Sequence, residues 1–283
     1  MKILTKIRKR FLVTVGDVKK HSSVFKKLLA DKKIFNKGFF LQGNNGQAVI
    51  LIHGWSSTPY TIRKLGEYLH QQGYTVIGPR LTGHGTKPED LQGVKWQEWL
   101  GGVEKVYKGI VGKYNKIFVV GTSLGGNLAI LLASKFPQIS GLVLLATPYK
   151  PKSRIKTHVF IFLAKVFRIK LLSKYYPVSV KSLGTAITPM VSYQKYPGSS
   201  VVESMKCILV SRKKMRAIEQ PCLIVQSKDD HMILSESADK IYEEISSKVK
   251  EKRYLQNTYH SFISDVNSRY VFKDIYNFLK VNG

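Results

Sequence analysis

The chain has 283 residues, 43% of them hydrophobic, with 46 Lys plus Arg against 18 Asp plus Glu and a formal net charge of +28. That apolar content builds a sizeable core and excludes a disordered chain, and the longest apolar runs, such as 159–164, fall well short of the roughly 18–20 residues of a membrane-spanning helix. Cys207 and Cys222 are too few for a disulfide framework and too far apart for a redox or zinc pair, so they predict a reducing, cytoplasmic setting.

In chain order, residues 1–37 form a basic N-terminal segment. On a helical wheel Ile3, Leu4, Ile7, Phe11 and Val15 share one arc and Lys2, Lys6, Lys9 and Arg10 the opposite one. This is the pattern of an amphipathic helix that lies in a membrane interface or docks on the protein's own core. It does not read as a secretory signal, because Asp17, Lys19 and Lys20 interrupt the apolar residues.

From residue 38 the pattern becomes that of strands and helices in alternation. Strands are expected at 39–41, 48–52, 75–79, 116–120 and 142–146, and helices around Ile62, Leu65 and Leu69, then over 96–111 and 127–136. The alternation stops at Thr147-Pro148. Residues 151–219 are rich in lysine, with an apolar run over 159–172 broken by Lys165, Arg168 and Lys170, and they show no clear strand pattern. Strands return at 222–225 and 253–255, with helices at 235–245 and 268–279. The expected architecture is α/β, a mostly parallel sheet covered on both faces. Its core is 38–150 and 220–283, and 151–219 is a helical insertion. The charge is uneven: residues 1–40 hold 12 basic and 2 acidic side chains and residues 148–220 hold 15 and 2, whereas 221–283 hold nine of each.

The most informative segment is Gly121-Thr122-Ser123-Leu124-Gly125-Gly126. A bare G-x-S-x-G is common by chance, but here a buried strand precedes it and an apolar helix follows, as a nucleophile turn requires. Gly121 and Gly125 are needed there because side chains would collide across the turn. A phosphate-cradling loop is the competing reading, and neither G-x-G-x-x-G nor a P-loop lysine is present. A serine nucleophile needs a base, and the base an orienting carboxylate, in the order Ser, Asp or Glu, His along the chain. Of the later histidines His158 falls in the insertion and His231 beside the acidic pair. His260 follows the last strand, at the sheet edge that carries Ser123. Asp229 and Asp230, after the 222–225 strand, compete for the carboxylate. The backbone N–H groups of Leu124 and Trp55 are candidates for an oxyanion hole. His53 and His84 read as structural, and Trp55 and Trp96 as pocket-lining or core residues.

These residues resemble the α/β-hydrolases, and within them the carboxylesterase and bacterial monoacylglycerol lipase group. The resemblance rests on Val49-Ile50-Leu51-Ile52-His53-Gly54-Trp55, Gly83-His84-Gly85, Gly121 to Gly126, Pro221 to Met232 and the loop around His260. It implies Ser123 as nucleophile, Asp230 as orienting acid because it stands three residues after Ser227, His260 as general base, and the Trp55 and Leu124 N–H groups as oxyanion donors. It also implies a helical cap at 151–219 and an acyl-enzyme mechanism without metal or cofactor. Two positions depart from the family pattern: Tyr259 stands where a glycine usually precedes the histidine, and the first forty residues have no counterpart in the small esterases. The substrates expected are monoacylglycerols or other single-chain acyl esters. Thioester hydrolysis and acyl transfer are the alternatives on the same residues. The basic segments predict peripheral contact with anionic membrane; a non-catalytic polyanion binder is the remaining reading, although no nucleic-acid motif is present.

Overall fold

The computed structural model describes residues 34, 36–150, 159, 162, 171–173, 192, 193, 195–264 and 269–283. Nearly all of the expected amphipathic segment, and much of the expected insertion, lie outside the described residues.

The strands are β1 (Phe39–Leu41), β2 (Gln47–Ile52), β3 (Thr75–Gly78), β4 (Lys116–Thr122), β5 (Gly141–Leu145), β6 (Leu172–Ser173), β7 (Lys195–Tyr196), β8 (Cys222–Ser227) and β9 (Lys250–Leu255). The α-helices are α1 (Arg63–Gln71), α2 (Trp96–Ile110), α3 (Leu124–Lys135), α4 (Gly198–Lys213), α5 (Ser237–Glu244) and α6 (Arg269–Val281). Seven strands form one sheet in the order β1-β3-β2-β4-β5-β8-β9. Only β1 is antiparallel to its neighbour; the other pairings in this sheet are parallel. In a parallel sheet all carboxyl ends share one edge, so the loops after β2, β4, β8 and β9 converge there.

Alternation along each strand divides the core into two layers. Ile50 and Ile52, Val119, Leu142 and Leu144, and Cys222 and Ile224 face a layer filled by Trp99, Val103 and Tyr107 of α2, Leu128 and Leu132 of α3, Cys207 and Ile208 of α4, and Ile241 of α5. Val49 and Leu51, Phe118 and Val120, Val143 and Leu145, and Leu223 and Val225 face Leu65 and Leu69 of α1 and Val271, Phe272, Ile275 and Leu279 of α6. Removing water from both faces is the main stabilising term.

Four elements differ from the sequence-based expectation. Helix α3 begins at Leu124, three residues before the expected start, because Gly125 and Gly126 fill its first turn despite their poor helix propensity. Strand β9 begins at Lys250; the charges of Lys250-Glu251-Lys252-Arg253 suit a sheet edge and hide it from hydrophobicity patterns. Strands β6 and β7, two residues each, pair antiparallel within the segment expected to be helical, and are too short to leave a pattern. Helix α4 lies in the same segment and packs against α3 and α2. Among the described residues no helix is long and apolar enough to cross a membrane.

Candidate active site

The turn between β4 and α3 holds Ser123 at φ 54° and ψ −123°, a backbone conformation that non-glycine residues rarely adopt. Neighbouring chain over-determines it: the Ser123 N–H donates to Leu145 O at 2.8 Å, and the Gly126 N–H donates to Ser123 O at 2.9 Å. A Cβ on Gly121 would lie 2.2 Å from the Gly125 carbonyl oxygen, and one on Gly125 would lie 2.2 Å from that of Ile52. Both glycines are therefore required by close backbone approach. The loop after β2 closes over the turn, where a Cβ on Gly54 would sit 3.3 Å from Ser123 Cβ. Leu124 opens α3, so its N–H is one of the first-turn donors that a helix leaves unused.

The loop after β8 carries Asp230, whose side chain is fully buried. Its Oδ2 accepts from His260 Nδ1 at 2.8 Å and from Gln226 Nε2 at 3.0 Å. Its Oδ1 accepts the N–H groups of Met232 at 2.8 Å and Ile233 at 2.9 Å. Burial alone would raise the pKa of this carboxyl, but the charge of His260 and the hydrogen bonds from His260, Ile233 and Met232 outweigh it and hold it below its ordinary value. Asp229, the competing acid, is exposed and its Oδ2 accepts the Asn257 N–H at 2.8 Å. The structure thus brings His260 to Asp230 and gives Asp229 to the backbone of the histidine loop.

That loop is tied to the acid loop at further points. Ser227 Oγ donates to Thr258 O at 2.6 Å, and the Lys228 N–H donates to Leu255 O at 2.9 Å. Tyr259, the residue in place of the usual glycine, lies tilted against His231 with ring centroids 4.7 Å apart. Asn257 takes a positive φ of 55°, which turns the chain toward His260.

His53 is fully buried with both ring nitrogens engaged: Nδ1 donates to Gly54 O at 2.9 Å and Nε2 accepts the Leu81 N–H at 3.2 Å. Burial, with the neighbouring His84 and Arg80, lowers its pKa to about 3, so it is a neutral loop brace. The buried His84 has its Nδ1 3.0 Å from Thr82 O, and its ring lies edge-on to His53 and Trp99. Trp55 meets Tyr196 of β7 edge-on at 4.7 Å, while Trp96, the first residue of α2, packs half-buried against the core. Among the described residues no group of three or more His, Cys, Asp or Glu side chains could hold a metal ion. Sequence reasoning missed Gln226, and it used Ser227 to place Asp230 without foreseeing its bond to the histidine loop. A buried glutamine closing an apolar strand was the available signal, because a buried amide needs partners.

The family described as serine aminopeptidase, S33, matches residues 43–267 of this chain. A thermostable monoacylglycerol lipase of Bacillus sp. (strain H-257) is 32% identical over 221 residues, which cover 78% of this chain and 85% of that protein. A carboxylesterase of Bacillus subtilis (strain 168) is 29% identical over 250 residues, covering 88% and 98%. Among solved structures, one reported for the metagenome-derived lipolytic enzymes LipS and LipT superposes with a TM-score of 0.80 at 24% identity, covering 87% of this chain and 98% of that one. The monoacylglycerol lipase of Paleococcus ferrophilus superposes at 0.73 with 18% identity, covering 87% and 98%. At such identities these structures show the shared α/β-hydrolase fold.

Proposed function

The chain belongs to the serine aminopeptidase (S33) family of hydrolases, and from that premise we propose that it hydrolyses monoacylglycerols or similar single-chain acyl esters through a covalent serine intermediate. The observation that carries this reading is the buried Asp230 bonded at 2.8 Å to His260, after two strands whose carboxyl ends share an edge with the strained Ser123. With Asp230 holding the Nδ1–H, His260 presents Nε2 as the base that takes the Ser123 proton. Ser123 Oγ then bonds to the acyl carbon, and the Leu124 and Trp55 N–H groups stabilise the resulting oxyanion. The tetrahedral species collapses as His260 returns the proton to the departing alcohol. Water, deprotonated by His260, releases the acid and restores Ser123. The monoacylglycerol and carboxylester chemistry of the Bacillus relatives supports the substrate class.

On this reading residues 151–219 cap the site and the basic segments hold the enzyme at anionic lipid. Hydrolysis of p-nitrophenyl esters from C2 to C16 and of monoacylglycerols, beside Ser123→Ala, tests the assignment. The variant is expected to lose about 10⁴- to 10⁶-fold in turnover. Activity that peaks at long chains supports the lipid assignment, a peak at short chains makes the protein a general carboxylesterase, and unchanged turnover in Ser123→Ala removes the mechanism.

A further inference from the structure

Gln226 is the penultimate residue of β8, 1% exposed, in a strand otherwise apolar from Cys222 to Val225. Burying an amide costs free energy unless its polar atoms are partnered. Its Nε2 has two acceptors, Ser227 O at 3.2 Å and Asp230 Oδ2 at 3.0 Å. Both neighbours accept, which fixes the amide orientation with nitrogen toward the carboxylate.

An ionised carboxylate has about four acceptor sites. In Asp230 all four are used: Met232 and Ile233 N–H on Oδ1, and Gln226 and His260 on Oδ2. The two backbone donors fix the position of Oδ1. Gln226 acts on the other oxygen, the one that faces the imidazole. An amide hydrogen there withdraws negative charge from Oδ2 and fixes its direction, while His260 competes for the same atom.

We propose that Gln226 is a positioning residue that holds Asp230 Oδ2 toward His260 and limits how strongly the carboxylate draws the imidazole proton. The inference rests on the catalytic roles given above to Asp230 and His260. The groups facing Oδ2 are the Gln226 amide on β8 and the His260 ring from the loop after β9. Of the other ionisable side chains on that loop, Asp229 is turned to the Asn257 N–H, Lys228 lies over the Tyr254 ring and His231 lies against the Tyr259 ring.

Removing the amide has two consequences. The fourth acceptor site is left dry, so Oδ2 can swing about the fixed Oδ1 and the imidazole is held less accurately; this lowers kcat and leaves KM nearly unchanged. Oδ2 also keeps more charge, so the protonated imidazole is favoured and the acid limb of the kcat/KM profile moves to higher pH.

The test compares wild type, Gln226→Leu and Gln226→Asn by pH–rate profile, by thermal unfolding, and by the low-field NMR signal of the proton between His260 Nδ1 and Asp230, assigned with His260→Gln. Leucine keeps the volume without the donor. Asparagine keeps the donor but is one methylene too short to reach, and it carries the prediction if the leucine variant fails to fold. Both variants are expected to lose roughly 10-fold in kcat with KM within about twofold, and to move the acid limb up by about half a pH unit. The low-field proton should shift in both. A folded variant with an unmoved acid limb and an unmoved low-field proton reduces Gln226 to a packing residue and overturns the proposal. A shifted proton in Gln226→Leu, with full hydrolysis in His260→Gln, keeps the Gln226 coupling and overturns the catalytic roles instead.

Discussion

Single side chains decide the division of labour between the two adjacent aspartates. Asp230 is buried on His260, while Asp229 is exposed on a backbone N–H. Asp230→Asn is therefore expected to cost about 10⁴-fold in kcat, by leaving the imidazole in the wrong tautomer. Asp229→Ala removes one tie between loops and should cost less than about tenfold; steady-state kinetics on one ester separates the two. His53 makes one contribution to the acid sensitivity of the fold. Its pKa falls from an ordinary 6.5 to about 3 in the native state, so between those values the unfolded chain binds a proton that the native chain excludes. Stability is therefore lost as pH falls through that window, by up to about 1.4 kcal/mol per pH unit from this group alone. Asp230 acts lower: its native pKa lies below the ordinary 3.8, so its contribution is complete above that value and lost as pH falls through the native one. Urea unfolding between pH 7.5 and 4.5 should show the His53 slope in wild type and a flatter line in His53→Gln, and equal slopes would remove this assignment. Ser123 and His260 were readable as candidates because chain order and flanking strands restrict them, whereas those left Asp229 and Asp230 open and only the family resemblance favoured Asp230. Gln226, the bond of Ser227 to the histidine loop and the duty of Asp229 were not readable, since each depends on which loops meet across the sheet edge.

Glycines separate the elements that position chemistry from those that only cover the core. A Cβ on Gly125 would press backbone against backbone, 2.2 Å from Ile52 O. Gly125→Ala should destabilise by at least about 1–3 kcal/mol and abolish turnover, because the turn carrying Ser123 must move. Gly102 on α2 is exposed, with nothing within 4 Å of an added Cβ. Gly102→Ala should instead stabilise by about 0.5–1 kcal/mol without changing activity, as denaturant midpoints would show. The interior strands β2, β4, β5 and β8 were readable because both their faces are buried and their apolar runs are continuous. The charged first half of the edge strand β9, before the expected 253–255, and the glycine start of α3 were not, because sheet pairing and close packing override local propensity there.

Across the whole molecule, the excess charge is concentrated in residues 1–40 and 148–220, while 221–283 balance. If those segments meet lipid, vesicles with anionic headgroups should retain the protein at low ionic strength and release it as salt screens the attraction. Equal failure on anionic and neutral vesicles at low salt would leave a hydrolase that works away from membranes. The hydrolase reading does not depend on that outcome, because Ser123, Asp230 and His260 all lie outside both basic segments. The central claim is that Ser123 is the nucleophile served by the His260–Asp230 pair. Labelling with a fluorophosphonate, followed by intact mass and peptide mapping, tests it most directly. One adduct per chain on Ser123, absent in Ser123→Ala and much slower to form in His260→Ala, is the predicted result; an adduct on another residue, or ester hydrolysis that survives without any adduct, would contradict it.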